Sequence, residues 1–153
     1  IDILAGLDIN EFGGKRTAQL ILRDLRLTAE AEAAAEESAA RYAALRAGAP
    51  APGADIVPSR EEFGAVYNFI RRQVRFGEDS FTVREMLMRD EQIGAIGYIK
   101  LRFIIDVLYE LNIVGVENLG GEAYRFRVSY QPKRADLDKS AILRRLRTQT
   151  RAE

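Results

Sequence analysis

Three residues gathered around one turn, Phe12, Lys15 and Arg16, have the chemistry to hold a polyanion that carries flat bases. An aromatic ring stacks on any base, and neighbouring cations pair with phosphates. The same residues also suit an ordinary solvated hairpin tip with a core phenylalanine. A second set of cations, Arg144, Arg145 and Arg147, stands near the end of the sequence. Seven basic residues lie between Lys133 and Arg151 against Asp136 and Asp138 alone, a weak nucleic-acid signal. The plainer reading is a soluble helix whose cations favour its negative end.

Other chemistries lack their residues. The 153 positions include no histidine and no cysteine, so imidazole and thiolate ligands are absent and no disulfide can form. Absence of cysteine fits a reducing compartment. There is no dense carboxylate group at metal spacing, no glycine-rich phosphate loop and no nucleophile elbow. Formal charge sums to zero, with 23 basic and 23 acidic side chains, and 47% of residues are hydrophobic, enough for a real core. No apolar run approaches the roughly 20 residues that span a bilayer. No basic start followed by an apolar stretch marks a signal peptide.

The elements that must position Phe12, Lys15 and Arg16 are two β-rich runs. Residues 1–12 alternate loosely between apolar and polar, Gly13-Gly14 forms a turn, and Thr17 to Leu25 resumes a strand-like run. Such a pattern predicts a hairpin. A lone hairpin is marginal in water, and the chain starts at Ile1, so a fragment of a larger protein is expected.

Within this hairpin, Leu7, Asp8, Asn10, Phe12, Gly14, Lys15, Arg16, Thr17, Gln19 and Leu20 keep fixed spacing. The string LDINEFGGKRTAQL resembles the end of the oligonucleotide-binding (OB) domain in RecJ-type single-stranded-DNA exonucleases. Gly13 stands where that family often has a basic residue. The strong match covers about 20 residues; the remainder resembles, more weakly, the C-terminal extension of longer members. The resemblance implies a parent enzyme of recombination and repair in the bacterial cytoplasm that degrades single strands 5′ to 3′. Its manganese or magnesium would be held by aspartates and histidines upstream, outside this chain. This region would then carry no catalytic residue and no cofactor. Its implied partners are single-stranded DNA, the tail of single-strand-binding protein and the upstream catalytic core, with no membrane.

Beyond the hairpin, residues 29–47 are rich in alanine and glutamate and predict a helix, capped by Thr28. Tyr42 and Leu45 are its only large apolar residues, so a connector lying on a surface is expected. Gly48-Ala-Pro-Ala-Pro-Gly53 ends it and marks a domain boundary. Next, Ser59-Arg-Glu-Glu62 reads as a capping box, and Phe63, Val66, Tyr67, Ile70 and Val74 form one buried stripe. Thr82 caps a second helix with Val83, Met86 and Leu87 facing in. A third helix runs from about Ile96 to Leu111. Ile113 to Val116 and Tyr124 to Val128 read as a hairpin around Gly120-Gly121. Asp138 or Ser140 opens a last helix on Ile142, Leu143 and Leu146.

The expected architecture is α+β: a β-hairpin remnant of an OB domain over 1–27, a connector helix and Pro/Gly linker over 28–58, and a winged-helix-like domain over 59–153. Its parts are three helices, a β-hairpin wing and a C-terminal helix. The third helix has the position that reads DNA in helix-turn-helix relatives. Yet its polar face, Lys100, Arg102, Asp106 and Glu110, is half acidic and repels phosphate. Ile99, Phe103 and Val107 add a second apolar stripe along that side. Cover by the first or last helix is the favoured explanation. The functional one is a partner site, rimmed by Lys100 and Arg102, for an acidic, apolar-tipped tail. The expected role is therefore a non-catalytic one in partner docking or strand positioning. The alternatives are a DNA-binding winged-helix regulator and a structural brace on the catalytic core.

Overall fold

The computed structural model describes residues 2–12, 15–26, 28–51, 53–128 and 136–151. They form an α+β protein of two compact units, Ile1–Ser38 and Ala39–Glu153.

In the first unit, β1 (Asp2–Phe12) and β2 (Lys15–Arg26) pair antiparallel. Leu7 lies opposite Leu20 and Ile9 opposite Ala18, and the register slips once between Leu4 and Ala5. The expected Gly13-Gly14 turn lies outside the described residues. Helix α1 (Ala29–Arg46) follows. The Thr28 hydroxyl accepts from the Ala31 N–H at 3.3 Å, and Glu30 and Glu32 sit in the positive first turn.

The second unit begins inside α1, not at the Pro-Gly stretch. The reason is burial: Tyr42 and Leu45 are 5% and 3% exposed and belong to its core. The surface connector expected from the sequence is therefore anchored at its C-terminal end. Helix α2 (Arg60–Arg75) starts at the full Ser59–Glu62 capping box. Strand β3 (Ser80–Thr82) was not visible in the sequence pattern. Helix α3 (Val83–Arg89) has its own box, Thr82 with Glu85. The expected third helix is α5 (Tyr98–Glu110); before it stands a short helix the pattern did not mark, α4 (Glu91–Ile96), capped by Asp90 and separated from α5 by Gly97. Gly97 has φ 79°, a left-handed conformation that continues no helix.

β4 (Val114–Gly120) and β5 (Ala123–Val128) complete a three-stranded antiparallel sheet in the order β3-β5-β4. Gly120, Gly121 and Glu122 all have positive φ at their turn. One turn of 3₁₀ helix (Leu137–Lys139) precedes α6 (Ala141–Arg151). Among the described residues no helix is long and apolar enough to cross a membrane.

The main core packs α2, α3 and α5 on the sheet through Val66, Ile70, Met86, Leu101, Ile104 and Phe126. Phe69 belongs to it as well, while Tyr67 and Val74 of the expected stripe are only half-buried. A second cluster surrounds Phe103 with Tyr42, Leu45, Ala51, Ile56 and Leu146. Phe103 and Val107 have no exposed surface, and Ile99 is half-buried at the edge of this cluster. Phe103 is thus enclosed by α1, the linker and α6, as the favoured reading of cover by the last helix expects, and Val107 lies in the main core. Burying a phenylalanine contributes about 1.5–3 kcal/mol, enough to favour this closure over an open patch.

Candidate nucleic-acid interface

At the end of the first ribbon the backbone register sets Phe12 opposite Lys15 and Glu11 opposite Arg16. All three candidate residues therefore lie at the paired ends of β1 and β2. The Arg16 side chain is exposed; those of Phe12 and Lys15 lie outside the described residues. An aromatic and two cations at a ribbon tip can meet a base and its flanking phosphates.

In the second unit Arg144, Arg145 and Arg147 share the outer face of α6, opposite Leu143, Leu146 and Gln149. Arg147 is paired with Asp138 at 2.8 Å. The Nε of Arg144 donates to the Ser140 carbonyl at 3.4 Å. Arg145 has no ion pair among the described residues. These exposed cations can add to a phosphate-attracting field, each by little.

Helix α5 is different, because each of its four charges has a partner inside the unit. Lys100, largely covered, donates to Asp55 at 2.9 Å and Glu62 at 3.1 Å. Burial opposes its charge, yet those two carboxylates hold its pKa above the ordinary value. Arg102 pairs with Glu122 at 3.3 Å and lies over the rings of Tyr42, Tyr98 and Tyr124 at 4.4, 5.8 and 5.5 Å. Such contacts contribute about 0.5–2 kcal/mol each, more where water is excluded. Asp106 accepts from Tyr42 at 2.5 Å and pairs with Arg46 at 3.3 Å. Glu110 accepts from the Ser140 hydroxyl at 2.5 Å and from the Ala141 and Ile142 N–H groups at the start of α6. Arg125 and Arg127 on β5 both pair with Glu117. The sequence separated α5 charges into attractive and repulsive toward phosphate; the structure spends them on internal contacts.

Burial first, then the hydrogen bond to Asp106, pushes the Tyr42 phenol up to about 12. Burial and Glu122 do the same to Tyr98. Neither these tyrosines nor Glu122 was marked by any motif, since their partners lie far away in sequence. Among the described residues no group of three or more carboxylates is close enough to hold a metal ion. Comparison with protein-family models, with curated proteins and with solved structures gave no match.

Proposed function

We propose that this chain is a non-catalytic, strand-positioning region of a RecJ-type single-stranded-DNA exonuclease of recombination and repair. The observation that carries the reading is the register at the ribbon tip. It brings Phe12, Lys15 and Arg16, residues of the OB-like string, together at the paired ends of β1 and β2. On this reading β1 and β2 are the last strands of an OB domain, a fold that holds single strands with aromatic and basic residues. The arginines of α6 extend the electrostatic attraction.

The second unit fits a winged-helix reading. Its order runs helix, short strand, helices, then the β4-β5 hairpin as the wing. The internal pairing of every α5 charge argues against a regulator that reads the major groove with that helix. The same observation favours, as a second reading, a structural brace for the parent's catalytic core. Docking of an acidic protein tail on Ile99, Phe103 and Val107 has less support, because Phe103 and Val107 are enclosed.

Fluorescence anisotropy with a labelled single strand and the matching duplex tests the proposal. Strand positioning predicts preferential, salt-sensitive binding of the single strand. Equal binding of both, or of neither, contradicts it.

A further inference from the structure

The turn between β4 and β5 runs Gly120-Gly121-Glu122, and φ is 90°, 56° and 63° at the three positions. Glycine takes such a conformation freely, whereas any side chain disfavours it. Among the described residues only Asn112 and Glu122 adopt it without being glycine. Asparagine is an ordinary occupant of that region; glutamate is not.

What Glu122 brings to this position is a pair of acceptors. Its Oε1 accepts from the Tyr98 hydroxyl and from Arg102 Nη1, the latter at 3.3 Å. The Tyr98 hydroxyl in turn accepts from Arg102 at 3.1 Å, so the three groups close one network. Tyr98 is the first residue of α5 and Arg102 lies one turn further on. The Arg102 side chain is only 16% exposed, which strengthens a charge-assisted bond to it. The Glu122 carbonyl accepts from the N–H of buried Val83, the first residue of α3, at 3.4 Å. One residue in a disfavoured backbone conformation thus ties the turn to two helices.

The rest of the turn has no such tie. Residues 117–121 are exposed, and the register slips between Asn118 and Gly120. The other side-chain contacts there stay within the hairpin: Glu117 with Arg125 and Arg127, and Asn118 with the Gly120 N–H. Among the described residues, Glu122 alone carries side-chain hydrogen bonds from residues 117–122 to a helix. We infer that Glu122 is a latch: its carboxylate holds the β4-β5 turn against the start of α5, and its release lets residues 117–122 pivot on Gly120 and Gly121 while the core stays folded. The position of the hairpin tip is then set by a polar contact that can open, not by apolar packing. This device does not depend on the nucleic-acid reading.

Amide hydrogen exchange on the full chain tests it, because such local openings differ from global unfolding in which amides they release. The Val83 N–H reports the latch directly, being bonded to the Glu122 carbonyl. Glu122→Gln keeps the side chain's length and its backbone penalty but loses its charge. It should speed exchange at Val83 about 10- to 100-fold, with Ile70 and Ile104 in the core unchanged. Tyr98→Phe removes one donor and should speed Val83 by less. Glu122→Gly removes the backbone penalty together with the carboxylate; the latch predicts faster exchange at Val83 even so. Unchanged exchange at Val83 in Glu122→Gln, or slower exchange in Glu122→Gly, overturns the inference. Equal acceleration at Ile70 and Ile104 also overturns it, since Glu122 would then support the whole fold and not one turn.

Discussion

The Tyr42 hydroxyl donates to Asp106 at 2.5 Å across 64 positions of sequence. The same ring packs on Phe103 at a centroid distance of 5.0 Å, tilted by 58°, and lies under the Arg102 guanidinium at 4.4 Å. One tyrosine thus joins the end of α1 to both the apolar and the charged side of α5. Tyr42→Phe should cost about 1 kcal/mol through the lost hydrogen bond. Tyr42→Ala should cost about 3–5 kcal/mol by opening a cavity against Phe103. Urea denaturation followed by circular dichroism measures both; equal losses in the two variants would contradict the assignment.

A pH consequence follows from the raised phenols. Tyr42 and Tyr98 are each pushed up to about 12, by burial first and then by Asp106 and Glu122. Their ordinary value is ~10. The neutral phenols therefore contribute stability that is fully present below pH ~10 and is lost as pH rises through about 12. In an ultraviolet titration of the six tyrosines, two should ionise late, and Tyr42→Phe should remove one of them. Ionisation of all six together near pH ~10 would refute this.

The C-terminal helix depends on two side chains outside its apolar stripe. Glu110 covers the N-terminus of α6, accepting from Ser140, Ala141 and Ile142. Glu110→Ala should cost about 1–2 kcal/mol, as lost caps do, and Glu110→Gln less. Amide hydrogen exchange should speed up first in the first turn of α6. Unchanged exchange there would show that the carboxylate is incidental.

At the other end, Gln149 is buried and donates to the Leu45 and Ala49 carbonyls at 2.8 and 2.7 Å. It closes the C-terminus of α1 from 104 positions away. Gln149→Ala leaves two carbonyls unpaired and should cost about 1–3 kcal/mol. Gln149→Glu aims a carboxylate at carbonyl oxygens, which raises its folded-state pKa. Stability of that variant should therefore be greatest at low pH and fall as pH rises through the carboxyl pKa. Thermal denaturation across pH reports it, and a pH-independent loss would exclude the mechanism.

Features written locally were legible in the sequence. The Ser59–Glu62 box, the Thr82 cap and the glycine turn before Tyr124 each need only neighbouring residues, and each stands where the pattern put it. Strand β3 escaped notice because three residues carry no period; it exists through pairing with β5, Phe81 opposite Tyr124. The third helix stands where the periodicity puts it, to within two residues, whereas α4 is too short to carry a period and ends at Gly97, whose backbone continues no helix. The fate of Tyr42 and of the α5 charges was hidden for another reason. Their partners, Asp106, Asp55, Glu122 and the start of α6, are set by tertiary packing. Burial of Phe103, by contrast, was legible: a helix apolar nearly all round is covered all round, and Leu146 of the last helix is part of that cover.

The central claim is that Phe12, Lys15 and Arg16 hold a single strand at the ribbon tip. Its most direct test is the salt dependence of oligonucleotide affinity for the wild type and for Lys15→Ala/Arg16→Ala. Each phosphate contact on a single strand contributes about 0.7 to the slope of log affinity against log salt. The double variant should bind more weakly, with a slope shallower by about 1.4 if both side chains meet phosphates. An unchanged slope and affinity would contradict the account, leaving the ribbon tip an ordinary solvated turn.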